Sequence, residues 1–136
     1  MILVEKEFQM LADLMDTKHF PEVYSFKVLE QHSYMIMEKL DENLDNLFRM
    51  NDKKFSLKTI ALITNQMVEA MMEMHSKGYL HRDIKPENVM TSCHSHQVKL
   101  IDFGLATNVF SKQSVALIGN VRFCSRKAHY GYSGKK

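Results

Sequence analysis

The sequence predicts an α+β fold that forms one modest domain. In three segments the apolar residues recur every three or four positions, as they do on one face of a helix: 1–15, 41–50 and 56–77. Shorter apolar segments of strand-like composition lie between and after these helices. The chain has 136 residues, of which 45% are hydrophobic and 25% are charged, and this is enough for one hydrophobic core.

The two segments after the first helix are predicted to form a hairpin. Phe20 and Pro21 end the helix, and residues 23–29 and 33–38 have the composition of strands on either side of a polar turn. Residues 35–37 are apolar throughout. We therefore expect the second strand to be covered on both of its faces.

The predicted helix at 56–77 has clear signals at both ends. Ser56 is suited to cap its N-terminus, and Gly78 stands where a glycine commonly ends a helix. Its apolar residues form one stripe: Leu57, Ile60, Ile63, Met67, Met71 and Met74. We expect the methionines of this stripe to fill the core rather than to bind a ligand.

The segment after this helix contains the residues with the most specific chemistry, and it reads His-Arg-Asp-Ile-Lys-Pro-Glu-Asn at 81–88. Asp83 can accept a proton from an attacking hydroxyl, and Lys85 can place a positive charge on a transferring phosphoryl group. Asn88 and Asp102 offer hard oxygens that suit Mg²⁺ when it bridges phosphate oxygens. Together these residue types predict phosphoryl-transfer chemistry.

Neither motif is decisive alone. His-Arg-Asp at 81–83 could be a surface turn, and Asp-Phe-Gly at 102–104 is a common tripeptide. Chance is a poor explanation for both in this order, because a predicted strand at 98–101 runs into the second motif and Pro86 stiffens the first. His81 is expected to be a packed, hydrogen-bonded histidine that supports the loop.

These motifs resemble those of the protein kinase family, in which His-Arg-Asp marks the catalytic loop and Asp-Phe-Gly the magnesium loop. The lysine two positions after Asp83 resembles the serine/threonine branch of that family. Four further segments are similar to the casein kinase I group: 54–59, 66–67, 75–77 and 119–125. The resemblance covers nearly the whole chain.

The resemblance implies a protein-kinase-like two-lobe fold that is incomplete in this chain. Residues 1–38 would be a remnant of the small lobe, and 39–136 would hold the hinge, the catalytic loop and the activation segment. ATP and Mg²⁺ are the implied cofactors. The residues implied to contact the nucleotide are Glu5, Met37, Glu38, Leu40, Met90 and Ile101. Among these, Glu5 would pair with a strand lysine that binds the phosphates.

The C-terminal part of the chain is basic. From Ser111 onward it has no acidic residue, and its basic side chains are Lys112, Arg122, Arg126, Lys127, Lys135 and Lys136. By the resemblance, Arg122, Arg126 and Lys127 lie beside the groove for the substrate peptide. This charge favours acidic or phosphorylated protein substrates over nucleic acid, because the stacking aromatics of a nucleic-acid module are missing.

Three functional classes stay open. An active serine/threonine kinase is supported by the intact catalytic and metal-binding residues. A non-catalytic pseudokinase that acts as a binding module is supported by the missing glycine-rich loop and strand lysine, and for that reason we expect little activity from this chain by itself. A binder of anionic polymers is the weakest of the three. The sequence does not decide whether the chain is a fragment of a longer kinase or a degenerate product of one.

The start of the chain indicates an intracellular protein of the cytoplasm or nucleus. Residues 1–4 are too few for the apolar core of a signal peptide, and no apolar run approaches the length of a membrane span. Cys93 and Cys124 are then expected to stay reduced. The histidines at 94 and 96 could suggest a metal clip with Cys93, but no second ligand pair follows.

Overall fold

The computed structural model describes residues 3–30, 32–109, 120, 122–123 and 125–126. Within these residues the helices are α1 (Leu3–Leu14), α2 (Leu44–Met50) and α3 (Leu57–Ser76). The strands are β1 (Val23–Val28), β2 (Ser33–Met37), β3 (Leu40–Asn43), β4 (Tyr79–Leu80), β5 (Val89–Ser92), β6 (Val98–Leu100) and β7 (Thr107–Asn108). The predicted α+β class is confirmed. None of the described helices is long and apolar enough to span a membrane.

β1 and β2 form the predicted antiparallel hairpin, with Val28 opposite Ser33. The expectation that β2 is covered on both faces is wrong. Alternate side chains of a strand point to opposite faces, so Met35 packs against the core while Tyr34 and Ile36 are 41% and 51% exposed. The apolar residues at 35–37 therefore do not indicate that both faces of β2 are buried.

A second sheet has the strand order β3-β5-β6, with antiparallel neighbours. β3 occupies residues that the sequence assigned to the start of a helix, and that boundary was wrong. Asn43 has an extended backbone, and its side-chain oxygen accepts a hydrogen bond from the Asn46 amide at 2.9 Å. This cap starts α2 at Leu44 and leaves residues 40–43 free to pair with β5.

The core lies where α1, the C-terminal part of α3 and the β5-β6 pair meet. Its buried apolar side chains are Met10, Leu11, Leu14, Phe20, Val23, Ala70, Met74, Val89, Val98, Leu100, Phe103 and Ala106. Phe103 belongs to the Asp-Phe-Gly motif, and its ring centroid is 5.8 Å from that of Phe20. The second motif is thus anchored in the core by its central residue.

α3 begins and ends where the sequence predicted. The Ser56 hydroxyl accepts a hydrogen bond from the Thr59 amide at 3.0 Å, and Gly78 adopts a φ of 79° just after the helix. Only the last part of its apolar stripe is buried, at Met74, whereas Leu57 is 85% exposed. In the described part of the chain, therefore, α3 packs mainly through its C-terminal half.

Candidate active site

The loop at 81–88 is held against the Asp-Phe-Gly segment by His81. This side chain is 2% exposed, its ring lies edge-on to Phe103 at 5.1 Å, and its Nε2 is 3.0 Å from the carbonyl oxygen of Ile101. Burial lowers the pKa of His81, so the ring favours its neutral form. The prediction of a packed supporting histidine is confirmed.

Two residues of the motifs have backbone conformations that are uncommon for non-glycine residues. Arg82 has a φ of 68° and Asp102 a φ of 64°. The guanidinium of Arg82 donates to the carbonyl oxygen of Leu105 at 2.7 Å, which links the two loops. Such conformations cost on the order of 1–3 kcal/mol each and persist where the surrounding contacts hold them.

The carboxylate of Asp83 is 7% exposed and is the most heavily bonded group of the site. Its Oδ2 accepts hydrogen bonds from Lys85 Nζ at 2.6 Å and from Asn88 Nδ2 at 3.1 Å. Its Oδ1 accepts one from the Asn120 amide at 3.1 Å. Burial by itself would raise the pKa of Asp83, but the charge and hydrogen bonds of these partners bring it below its ordinary value.

Lys85 is fixed by the same contact. The hydrogen bond to Asp83 raises the pKa of Lys85, and the negative charge of Asp102 adds to this effect. The contribution of Asp102 shows that the two motifs are electrostatically close, although about 17 residues of chain separate them. Lys85 is therefore a cation that pairs with Asp83 and also feels the charge of Asp102.

Asn88 ends a 3₁₀ turn, Pro86–Asn88, and is buried. Its amide nitrogen donates to both the carbonyl oxygen and the carboxylate of Asp83. With the nitrogen so committed, its Oδ1 accepts no hydrogen bond from any described residue. An amide oxygen in this position suits a hard cation, and it fits the predicted magnesium-binding role.

Asp102 differs from Asp83 in being exposed. Its only hydrogen bond within the described residues is to the Gly104 amide in its own loop, at 3.3 Å. It lines an apolar cleft of about 270 Å³ that opens between the hairpin, α1 and the 101–103 segment that follows β6. A carboxylate and an amide oxygen are a donor set of the kind that Mg²⁺ shares with ATP phosphates. The metal-binding role of Asn88 and Asp102 stays a prediction.

The cleft brings together five of the six residues predicted to contact the nucleotide. Besides Asp102 it is lined by Glu7, Leu11, Pro21, Met37, Glu38, Leu40, Met90, Ile101 and Phe103. The resemblance to protein kinases had implied that Met37, Glu38, Leu40, Met90 and Ile101 lie there. Glu5 does not line the cleft, although it belongs to α1, the helix that contributes Glu7 and Leu11.

Glu7 takes the place at the cleft that the sequence assigned to Glu5. Its Oε1 accepts a hydrogen bond from the Phe103 amide at 3.2 Å. Burial raises the pKa of Glu7, and the charge of Asp102 raises it further. Glu7 lies on the helix face of Leu11 and Leu14, which are both 0% exposed, so the spacing of 7, 11 and 14 is the sequence signal that could have found it.

The basic residues predicted to bind substrate are only partly described. Arg122 and Arg126 are exposed, and Arg122 lies over the ring of Phe123 at 5.6 Å. The Asn120 side chain accepts a hydrogen bond from the Arg122 amide at 2.9 Å, so the turn that carries Arg122 is joined to Asp83 through Asn120. Lys127 lies outside the described residues.

The comparisons with known proteins agree with this geometry. A family model described as "Protein kinase domain" matches residues 2–129. A protein of Encephalitozoon cuniculi (strain GB-M1) named "Probable casein kinase I homolog" is 32% identical over 125 residues, which cover 82% of this chain and 41% of that protein. The chain thus spans less than half the length of that relative. The predicted similarity to the casein kinase I group is confirmed, and the chain belongs to the protein kinase family.

Proposed function

We propose that this chain acts as a serine/threonine protein kinase of the casein kinase I type, which transfers the γ-phosphoryl group of ATP to hydroxyls of protein substrates. The observation that carries the proposal is the buried Asp83 carboxylate, held by Lys85, Asn88 and Asn120 beside a cleft that carries Asp102. Positioning and charge stabilisation account for most of the catalysis in this reaction. This group of residues can supply both.

The two oxygens of Asp83 are unequally occupied. Oδ2 accepts two hydrogen bonds, whereas Oδ1 accepts only the one from the Asn120 amide. A carboxylate oxygen has about two lone-pair positions, so Oδ1 has room for a substrate hydroxyl. Because its pKa is held low, Asp83 is a weak base, and in this proposal it orients the hydroxyl and accepts the proton late in the transfer.

Lys85 and the metal-binding residues act on the phosphate side of the reaction. The ammonium of Lys85 would stabilise the charge on the transferring phosphoryl group. Mg²⁺, when bound, supplies further charge neutralisation on the phosphates, and Asn88 Oδ1 and the Asp102 carboxylate would hold it. Neither oxygen is committed to a cation among the described residues, which supports this assignment.

The apolar cleft is the proposed site for the adenine ring. Met37, Met90 and Ile101 give it apolar walls, and Glu38 and Leu40 from the segment after the hairpin lie at it as well. A cleft with apolar walls and a few polar groups at one edge is typical of a small-molecule site. Its volume of about 270 Å³ lies just below the range of about 300–1,000 Å³ that is usual for such a site, and it is open on one side.

Substrate choice is proposed to depend on Arg122 and Arg126. Both are exposed, and Arg122 follows the residue that bonds directly to Asp83 by only two positions. Acidic or phosphorylated residues near the target hydroxyl would therefore meet positive charge. Faster phosphorylation of basic peptides than of acidic peptides at low salt would contradict this part of the proposal.

The test is single-turnover phosphoryl transfer from labelled ATP to an acidic serine peptide, with Asp83→Asn as the matched control. We expect slow transfer that requires Mg²⁺ and is lost in Asp83→Asn. Equal transfer by both proteins would show that the label comes from a contaminating kinase. Failure of the chain to bind Mg-ATP at all would contradict the proposal.

One alternative has a specific observation in its favour. Glu7 pairs with no cation among the described residues, although the carboxylate is half-buried and its pKa is raised. A non-catalytic kinase-like module that binds nucleotide would show this feature too. Mg-ATP binding without any Asp83-dependent transfer in the same experiment would favour this alternative over an active kinase.

A further inference from the structure

A buried lysine that the catalytic proposal does not use lies behind the cleft. Lys99 is the middle residue of β6, the strand that leads to Asp102, and only 9% of the residue is exposed. Its Nζ lies 2.6 Å from Glu38 Oε2 and donates to the carbonyl oxygen of Phe20 at 3.1 Å. A charged group is rarely buried in this way unless it is paired.

Glu38, the partner of Lys99, is also hydrogen-bonded to the loop that contains Phe20. The Glu38 amide donates to the carbonyl oxygen of Glu22 at 2.8 Å, and the Glu22 amide donates back to Glu38 Oε2 at 3.2 Å. One residue further along β6, the Leu100 amide donates to the carbonyl oxygen of His19 at 2.9 Å. These bonds join three segments of the chain: 19–22, 38 and 99–100.

Stability alone is a poor reason for this arrangement. Withdrawing two charges from water is costly even in part, the Lys99 and Glu38 side chains being 11% and 21% exposed, and apolar pairs of similar volume are often as stabilising as a buried ion pair. An ion pair differs from an apolar contact in that it holds its partners in one geometry. Here the partners are Glu38 and Phe20, and both Glu38 and the adjacent Pro21 line the cleft.

We propose that Lys99 is a positioning residue for nucleotide recognition. Through Glu38 and Phe20 it fixes the backbone edge of the cleft relative to β6, the strand that leads to Asp102. This inference rests on the proposed function, since it concerns the ATP of that reaction. Lys99 acts on the part of the cleft that meets the adenine ring, and the hydrogen bonds of its ammonium group go to Glu38 and Phe20 and not to Asp83, Lys85 or Asn88. Its loss therefore weakens recognition of the base and leaves the phosphate side of the site intact.

The experiment compares Lys99→Met with Lys54→Met, which removes an exposed lysine distant in sequence from the cleft. Both variants and the unmodified chain are titrated with Mg-ATP and with Mg-tripolyphosphate, which carries the phosphates without the base. In Lys99→Met we expect about tenfold weaker binding of Mg-ATP, equal to about 1.4 kcal/mol, and unchanged binding of Mg-tripolyphosphate. Lys54→Met should bind both ligands as the unmodified chain does.

Hydrogen exchange gives a second readout that does not depend on ligand. In Lys99→Met the amide of Glu38 should exchange faster, whereas the amides of the β5-β6 ladder keep their protection. If Lys99→Met does not fold because the partly buried Glu38 is left unpaired, the double variant Lys99→Met/Glu38→Leu removes that charge as well. The double variant should then show the same selective loss of Mg-ATP binding.

The outcomes separate the two proposals. Equal Mg-ATP affinity in Lys99→Met and the unmodified chain overturns the role of Lys99 and leaves the kinase proposal standing. Loss of both ligands together with a lower melting temperature shows a purely structural role and overturns it as well. An unmodified chain that binds Mg-tripolyphosphate but not Mg-ATP, or neither ligand, overturns both proposals.

Discussion

The two aspartates of the motifs have opposite environments. Asp83 is 7% exposed and accepts hydrogen bonds from three residues, one of which is a lysine. Asp102 is exposed, has an uncommon positive φ and bonds only to the Gly104 amide among the described residues. In the folded chain, therefore, Lys85 and neighbouring hydrogen-bond donors compensate the negative charge of Asp83. The negative charge of Asp102 has no such compensation among the described residues.

This difference indicates different roles for the two carboxylates: Asp83 is positioned in advance by the fold, and Asp102 is available to bind a ligand. Asp83 can hold its position without any ligand, because its partners belong to the chain. Asp102 and the nearby Glu7 leave negative charge at a cleft, and a cation from outside would relieve it. The catalytic loop should then be formed in the free protein, whereas the metal-binding side should depend on Mg²⁺ and nucleotide.

The largest expected effect is kinetic. Asp83→Asn should reduce phosphoryl transfer by about 10³-fold, within the range for loss of a positioned proton acceptor, and should change Mg-ATP affinity little. Asp102→Asn should instead weaken Mg-ATP binding, because it removes a hard anionic oxygen. Titration of Mg-ATP and single-turnover rates on both variants would measure this. An equal loss of nucleotide affinity in the two variants would contradict separate roles.

The catalytic loop was predictable because its chemistry is local in sequence. Asp83, Lys85 and Asn88 lie within six positions, and their mutual contacts follow from one stiff loop. The contact from Asn120 comes from 37 residues further along, and no pattern in the sequence marks it. Contacts at such a separation depend on how the chain packs, which periodicity does not encode.

The helices show the same limit. Periodicity predicted that α1 is amphipathic, and the spacing of 7, 11 and 14 could have marked Glu7, but the resemblance to the family implied Glu5, and the structure has Glu7 at the cleft. For α3 the pattern predicted the apolar stripe correctly. It could not say that Leu57 remains exposed, because burial depends on whether another element lies over the stripe.

Leucine-to-alanine variants on α1 and α3 test whether the side of the site with buried contacts contributes more to the free energy of unfolding. Leu11 is 0% exposed and lies on the Glu7 face of α1, whereas Leu57 is 85% exposed at the start of α3. Leu11→Ala should lower the free energy of unfolding by about 2–5 kcal/mol, and Leu57→Ala should change it by less than about 0.5 kcal/mol. Urea unfolding followed by circular dichroism measures both. Similar losses would mean that α3 is covered in solution.

Stabilisation of the fold by Mg-ATP tests whether Mg²⁺ supplies the positive charge that Asp102 lacks in the free protein. Mg-ATP at 100 times its Kd should stabilise the unmodified chain by about 2.7 kcal/mol. Asp102→Asn should lose most of this gain at the same concentration, while Asp83→Asn should keep it. Thermal melting with and without Mg-ATP gives the measurement, and ATP without Mg²⁺ serves as the control. A full gain in Asp102→Asn would remove Asp102 from the metal site.

The smallest expected effect is a difference in pH dependence between Asp83 and Glu7. The folded-state pKa of Asp83 lies below its ordinary value of 3.8, so the unfolded chain binds its proton more readily. Its contribution to stability is therefore present above about pH 4 and is lost as the pH falls through the folded-state pKa. For Glu7 the folded-state pKa lies above 4.5, so the folded chain holds the proton more tightly, and stability falls as the pH rises past that value.

The two neutral variants should consequently shift stability in opposite directions at neutral pH. Asp83→Asn should be less stable than the unmodified chain at pH 7, and the difference should shrink as the pH is lowered below about 4, because the unmodified carboxylate is then protonated too. Glu7→Gln should be slightly more stable at pH 7 and should lose this advantage below about pH 4.5. The gain should be small, because Glu7 is only half-buried and water screens part of its charge. Melting temperatures of the three proteins from about pH 2 to pH 8 provide the measurement, with Glu87→Gln as a control at an exposed carboxylate beside the same loop. If Glu7→Gln destabilised the protein at pH 7, Glu7 would already be paired with a cation in solution, and the contrast between the two sides of the site would not hold.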